Sequence, residues 1–397
     1  MPVRFAALAF FLRRAIIETE NEERGEDMRS LSKIRGSLLG GAAGDALGFS
    51  VEFLSYDQIV ERYGAEGILG YDLTNHIALI SDDTQMTLFT ANALLLGKTR
   101  RRMRGVDKPY EGYLALAYLD WVKTQHRFQA DARHRACCWL YQVPEMHHRR
   151  APGSTCMQVL ENRAIGTLDR PCNDSKGCGG IMRAAPIGLY FDPKDMPQRE
   201  IDRLGAASAA ITHGHVMGWL PAAAFVHLVS RITYGDAGAQ DLDELVAETN
   251  AAMAELFGEV RSEPLAAILR RAQRLAGSNI PDLDAIRLLG QGWVAEETLA
   301  IALFCLLRYP DSFGQCLIAA VNHDGDSDST GAVAGNLLGA LLGAEYIPEF
   351  YLDSLELRDI IEEIARDLWT DCPMTMGSSF FDEDWSRKYI ECRYDPL

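Results

Sequence analysis

Gly36-Ser37-Leu38-Leu39-Gly40-Gly41-Ala42-Ala43-Gly44-Asp45-Ala46-Leu47-Gly48, early in the chain, is built almost wholly of Gly, Ala and Leu, and so is the late stretch Gly331 to Ala344, GAVAGNLLGALLGA. Segments this rich in small residues let helix backbones approach closely and suit a compact helical bundle. The same character holds outward from Leu31, where apolar residues recur at helical spacing and no long Val/Ile/Thr alternation marks a sheet. The expected fold class is therefore all-α. Expected helices include Thr84 to Leu96, Tyr110 to Lys123, Ile201 to Ala210, Leu220 to Ile232, Leu242 to Leu256, Leu265 to Leu275, Glu296 to Leu307 and Leu355 to Leu368. Turns are expected at Pro152-Gly153, Pro171 to Gly180, Gly235 to Gly238 and Asn322 to Gly331.

The chain has 397 residues, 48% hydrophobic and 24% charged, which fits a folded globular protein and excludes a disordered or collagen-like one. Its 39 Lys and Arg against 56 Asp and Glu give a net charge of -17, a field that repels nucleic acid and anionic membrane. Nine scattered cysteines form no C-x-x-C pair and read as neither a disulfide framework nor a zinc site, so a reducing, cytoplasmic home is expected. The longest apolar stretch noted, Gly331 to Ala344, is shorter than the ~20 residues a bilayer needs, and no transmembrane helix is expected. Met1 to Ile17 carries Phe5, Leu8, Leu12 and Ile16 at helical spacing with Arg4, Arg13 and Arg14. It lacks the apolar length and cleavage site of a signal peptide. Residues 1–30 are read as an N-terminal extension, loosely ordered or partner-binding, and 31–397 as one catalytic domain.

Polar residues interrupt the apolar pattern at three places. Ser81-Asp82-Asp83-Thr84 precedes an apolar-periodic helix, where Ser and Asp serve as ordinary N-caps. Two adjacent carboxylates exceed what one cap requires, and their repulsion asks for a hard divalent cation. Asn322-His323-Asp324-Gly325-Asp326-Ser327-Asp328-Ser329-Thr330-Gly331 spaces three Asp like a calcium loop, but Ser329 stands where the loop needs Gly and Gly335 where it needs Glu. That cluster needs carboxylates from elsewhere, and Ser81 to Asp83 are the donors expected. Together they form an all-oxygen set that prefers Mg²⁺, Mn²⁺ or Ca²⁺ and has enough charge for two ions. Their meeting would close one domain across about 240 residues, from Asp83 to Asp326. The third place is Val51-Glu52-Phe53, whose apolar neighbours would raise the Glu52 pKa and suit it to acid/base work.

Two smaller elements complete the reading. Ser175-Lys176-Gly177-Cys178-Gly179-Gly180-Ile181-Met182-Arg183 is a glycine-rich turn whose backbone can approach a phosphate, or simply a tight turn. His213 in Thr212-His213-Gly214 is either a ligand contact or a core residue. The histidines at 126, 134, 147 and 148 lack a zinc-ligand context and are expected on the surface.

Gly36 to Phe53, Ser81 to Leu88 (SDDTQMTL), Gly177 to Gly188 (GCGGIMRAAPIG), Thr212-His213, Gly292 to Leu299 (GWVAEETL) and Asn322 to Gly343 together, in this order, resemble the ADP-ribosylglycohydrolase family, which includes the dinitrogenase reductase-activating glycohydrolases. The resemblance implies a compact orthogonal helical bundle and a magnesium-dependent site, two ions with Mn²⁺ as a substitute, that hydrolyses ADP-ribose from modified side chains. By the same resemblance Ser81, Asp82, Asp83, Asp326, Asp328 and Ser329 are metal-site positions. Glu52 matches the acid/base or gating residue, and Gly177, Cys178, Gly179, Gly180 and His213 match positions lining the ADP-ribose cleft. Asp324 stands where the family has Gly, and Cys178 where some members have Asn.

The function expected is hydrolysis of ADP-ribosyl-arginine on modified proteins, with Glu52, Asp82 and Asp83 as the catalytic residues. A rival from another class is an immunity-type binding protein that blocks an ADP-ribosylating toxin through residues 1–30. A third, a descendant with a dead site, is disfavoured by the intact Asp pairs.

Overall fold

The computed structural model describes residues 30–126, 135–235 and 238–394. Among them are seventeen α-helices and no β-strand beyond isolated bridges, as the spacing predicts. In chain order these are α1 (Leu31–Phe49), α2 (Tyr56–Tyr63), α3 (Asp82–Arg104), α4 (Tyr110–Thr124), α5 (Ser154–Glu161), α6 (Ala185–Tyr190), α7 (Gln198–Ala210), α8 (Val216–Tyr234) and α9 (Leu242–Phe257). There follow α10 (Glu259–Ala276), α11 (Asp282–Leu289), α12 (Ala295–Arg308), α13 (Phe313–Val321), α14 (Ser327–Leu342), α15 (Glu349–Leu352), α16 (Arg358–Thr370) and α17 (Glu383–Tyr389).

The two small-residue segments form one seam. Gly36, Gly40 and Gly44 of α1 lie against Gly339, Gly335 and Gly331 of α14, so the helices run antiparallel with backbones touching. A Cβ on Gly40 would sit 2.5 Å from the Gly335 carbonyl oxygen, so only glycine allows this approach. Asn336, which breaks the apolar run of α14, donates to the Ser37 carbonyl across the seam (2.7 Å) and is buried. The four-residue repeat puts Gly36, Gly40, Gly44 and Gly48 on one helix face. Its last member, Gly48, meets the Ser327 backbone, which brings the C-terminal end of α1 to the N-terminal end of α14.

Several boundaries differ from expectation for local reasons. The third helix starts at Asp82, because Ser81 caps it with a hydroxyl that accepts from the Asp83 amide (3.2 Å). The helix expected from Leu355 begins at Arg358, since Leu357 is left-handed (φ 62°) and the 354–356 backbone pairs with Ala78. α8 is long and apolar enough to cross a membrane by length and composition, a feature the expectation of no such helix overlooked. It is packed inside the protein against α6, α7, α9 and α12. The extension and its partner-binding reading concern residues 1–30, of which all but Ser30 lie outside the described residues.

Candidate active site

At the end of the seam three helix termini converge. Asp45, in the last turns of α1 and fully buried, accepts from the Ser81 amide (2.9 and 3.1 Å) and the Thr84 amide (3.0 Å), and the Thr84 hydroxyl also bonds it. That docks the N-terminus of α3 on α1. Asp326 and Asp328 stand at the N-terminus of α14, where Asp326 accepts from the Cys178 thiol (2.8 Å) and Asp328 from the Ser329 amide (3.0 Å). The Ser81 hydroxyl also bonds Asp328. Asp82 accepts from the Gly153 amide (3.3 Å). Glu52, just past α1, presents an oxygen within 4.8 Å of oxygens of Asp326 and Asp328.

The two acidic runs, distant in sequence, therefore meet as expected, with Ser81, Asp82, Asp83, Asp326, Asp328 and Ser329 all buried at one place. Asp45 is the member that sequence reasoning missed. A lone carboxylate inside a Gly/Ala helix cannot be buried without donors, and here those donors come from a distant segment.

Two carboxylates 4.8 Å apart repel by about 3 kcal/mol at an effective dielectric of about 20. A helix N-terminus returns only about 0.3–1 kcal/mol per charge, so α3 and α14 together do not offset six acids. Among the described residues no Lys or Arg pairs with any of Asp45, Glu52, Asp82, Asp83, Asp326 or Asp328. Burial, and after it the charge of Asp328, pushes Asp45 up to about 7. Burial, then Asp328, Asp326, Asp82 and Asp45, push Glu52 up to about 11. Burial followed by Asp328 holds Asp82, Asp83 and Asp326 well above the ordinary carboxylate range, and burial raises Asp328 itself. Asp83 Oδ1 and Glu52 Oε2 are buried with no hydrogen-bond partner. Unpaired hard oxygens at this density fit divalent cations.

The glycine turn forms the neighbouring wall. Cys178 N–H donates to the Trp293 carbonyl (3.2 Å) and Ala295 N–H to the Lys176 carbonyl (2.9 Å), tying the turn to the start of α12. Gly177 and Cys178 are half-buried at the cleft, whereas Gly179 and Gly180 are buried beneath it. His213 lies behind the turn, 2% exposed, its Nδ1 2.9 Å from the Thr212 hydroxyl. Burial, with Arg183 nearby, lowers its pKa to about 3, so it is neutral. It shapes the turn from behind. Arg183, at the end of the same glycine-rich motif, is fully buried and donates to Thr212 Oγ1 (2.7 Å) and the Ser208 carbonyl (3.0 Å). Over the opening, the exposed rings of Phe53 and Trp293 stack at 5.4 Å.

Asp324 is not part of the cluster. It accepts from the Tyr56 amide (2.8 Å) and Arg287 Nε (2.9 Å), on the outside of the loop. Of the histidines expected at the surface, His126 and His148 are exposed, His147 is half-buried with a ring nitrogen 2.6 Å from the Tyr141 carbonyl, and His134 lies outside the described residues.

Comparison with known proteins places this architecture. The family profile described as ADP-ribosylglycohydrolase matches residues 26–376. The ADP-ribosyl-[dinitrogen reductase] glycohydrolase of Rhodospirillum rubrum is 27% identical, over 83% of this chain and 92% of that protein. Human ADP-ribosylhydrolase ARH3 is 24% identical, over 86% and 93%. A solved structure titled ADP-ribosylglycohydrolase-related protein complex superposes with a TM-score of 0.56 at 25% identity, covering 86% of this chain and 98% of its own. The chain therefore belongs to the ADP-ribosylglycohydrolase family of hydrolases, which remove ADP-ribose from modified targets.

Proposed function

We propose that the protein hydrolyses ADP-ribosyl-arginine on modified proteins at a centre of two magnesium ions, with manganese as a substitute. Ser81, Asp82, Asp83, Asp326, Asp328 and Ser329 would hold the ions. The observation that carries this reading is the set of five buried carboxylates and the half-buried Glu52, with no basic partner among the described residues and two of the six with orphaned buried oxygens. The arginine linkage rests on the resemblance of the whole pattern to arginine-directed members.

Divalent ions in this position would supply Lewis-acid polarisation and a template for vicinal ribose hydroxyls. The residues do the rest. Asp45 fixes the first turn of α3 through its three donors, which sets the direction of Asp82 and Asp83. Asp82 or Asp83 accepts a proton from the attacking water, and nearby carboxylates stabilise the oxocarbenium-like state as the glycosidic bond breaks. Glu52, at the rim with one oxygen unpartnered, is placed to hold a proton for the departing guanidine. The Gly177–Cys178 backbone faces the cleft, where small residues let a phosphate approach closely.

The test is release of free ADP-ribose from an arginine-ADP-ribosylated protein, with Mg²⁺ and with EDTA, using the Asp82→Ala/Asp326→Ala double variant as control. Metal-dependent release that the variant abolishes is the expected result. Release only from serine-linked substrate would overturn the linkage, and no release from either would overturn the hydrolase reading.

A further inference from the structure

A second cluster of metal-ligand chemistry lies away from the carboxylates, where the end of α4 meets the C-terminal segment. Asp120, in the last turn of α4 and 3% exposed, accepts from the backbone amides of Cys137 (2.7 Å) and Cys138 (3.0 Å). Those bonds hold the two neighbouring cysteines with both thiols on the carboxylate side. Cys137 Sγ lies 3.1 Å from Asp120 Oδ2 and 3.9 Å from Cys138 Sγ, and one ligand atom from each of the three residues falls within 4.8 Å of the others.

The spacing has a chemical meaning. A tetrahedral ion with bonds of about 2.3 Å to sulfur and about 2.1 Å to oxygen has ligand-to-ligand edges of roughly 3.4–3.8 Å. The Cys137–Asp120 edge of 3.1 Å and the Cys137–Cys138 edge of 3.9 Å need shifts of only a few tenths of an ångström to match, and the third edge lies within 4.8 Å. Three points define one face of such a tetrahedron, and Cys392, which is not one of the three, stands near enough to act electrostatically on both cysteines. Cys392, 8% exposed, has its thiol pushed up to about 11 by burial and then by the charge of Cys137; Arg100, which bonds the thiol, pulls the other way, and Asp120 adds a smaller push. Its segment is already laid on the turn that follows the cysteine pair. Gln142 Nε2 donates to the Cys392 carbonyl (2.8 Å), the Tyr394 amide donates to Gln142 Oε1 (3.2 Å), and Tyr394 stacks on Trp139 at 5.6 Å.

We propose that Asp120, Cys137, Cys138 and Cys392 bind a thiophilic divalent cation of the zinc type that clamps the C-terminal segment to the end of α4. A set of three sulfurs and one carboxylate selects such an ion over magnesium, so this site and the carboxylate centre take different metals. Binding exchanges S–H bonds for S–metal bonds and releases one proton per thiol to solvent. The site is invisible in the spacing of the cysteines because its ligands come from three separate segments. It stands independently of the hydrolase reading.

The experiment uses the full chain, reduced and freed of metal, then titrated with cobalt(II) and with zinc. A thiolate-to-cobalt charge-transfer band is expected in the wild type, retained in Cys178→Ser and lost in Cys138→Ser. No band in the wild type, or a band lost in Cys178→Ser and kept in Cys138→Ser, would overturn the site. A measurement on the wild type alone guards against a misfolded variant. Zinc should slow alkylation of Cys137, Cys138 and Cys392, read peptide by peptide, and leave the other thiols unchanged. Equal alkylation with and without zinc, or a Cys137–Cys392 disulfide in place of bound metal, would defeat the proposal.

Discussion

The two ends of the α1–α14 seam treat the same side chain in opposite ways. At the far end Glu362 and Glu345 face Arg35, with contacts of 2.6 and 2.8 Å to the first and 3.9 Å to the second. At the near end Asp45, Glu52, Asp326 and Asp328 gather with Asp82 and Asp83 and have no base among the described residues. The helices and their glycines are common to both ends, so packing does not explain the contrast. The far end is charge arranged for the fold; the near end is charge arranged for something the chain itself does not contain, and the fold bears the repulsion.

That contrast can be attacked in four experiments. Asp326→Ala should lower turnover by more than the roughly 10–100-fold lost when an outer-shell partner of a metal is removed, measured as ADP-ribose release at saturating Mg²⁺. Gly40→Val, which forces a branched side chain against the Gly335 carbonyl, should lower stability by about 3 kcal/mol or more in a denaturant titration, because backbone on both sides cannot yield. Asp83→Asn should behave oppositely in the two states of the protein. Without metal it removes repulsion and raises the melting temperature; with Mg²⁺ it forfeits part of the stabilisation, about 2.7 kcal/mol at a hundredfold excess over Kd, that the wild type gains. A lowered melting temperature in EDTA would mean that Asp83 is structural. Arg35→Ala, at a partly exposed pair, should cost only about 0–1 kcal/mol, with activity unchanged.

Much of this was legible because it is contiguous. Ser81 to Asp83 and Asp326 to Ser329 are short runs in which each residue type restricts the same chemistry, and both lie where the helical pattern begins. The all-α class follows from spacing alone. Asp45 was hidden because a single carboxylate in a helix has no local signature; only the amides of Ser81 and Thr84, brought by α3, explain it. Asp324 looked equivalent to Asp326 two residues on, yet Gly325 (φ 142°) turns the chain between them and sends one carboxylate to Arg287 and the other inward. The glycines at 36, 40 and 44 announced close packing without naming their partner, since contact across that separation is set by tertiary structure.

The seam also bears on when the enzyme comes into being. α1 leaves the ribosome early, and the helix that covers its glycine face is among the last to be made. Closing so long a loop is slow, because its entropy is lost before the contacts are gained. Asp326 and Asp328 arrive with that late helix, so a nascent chain holds only part of the ligand set until the helix is made. A fragment ending before residue 326 carries Asp45, Asp82 and Asp83 with nothing to oppose them. Truncated products should therefore be inert, and hydrolysis would report only chains synthesised past α14.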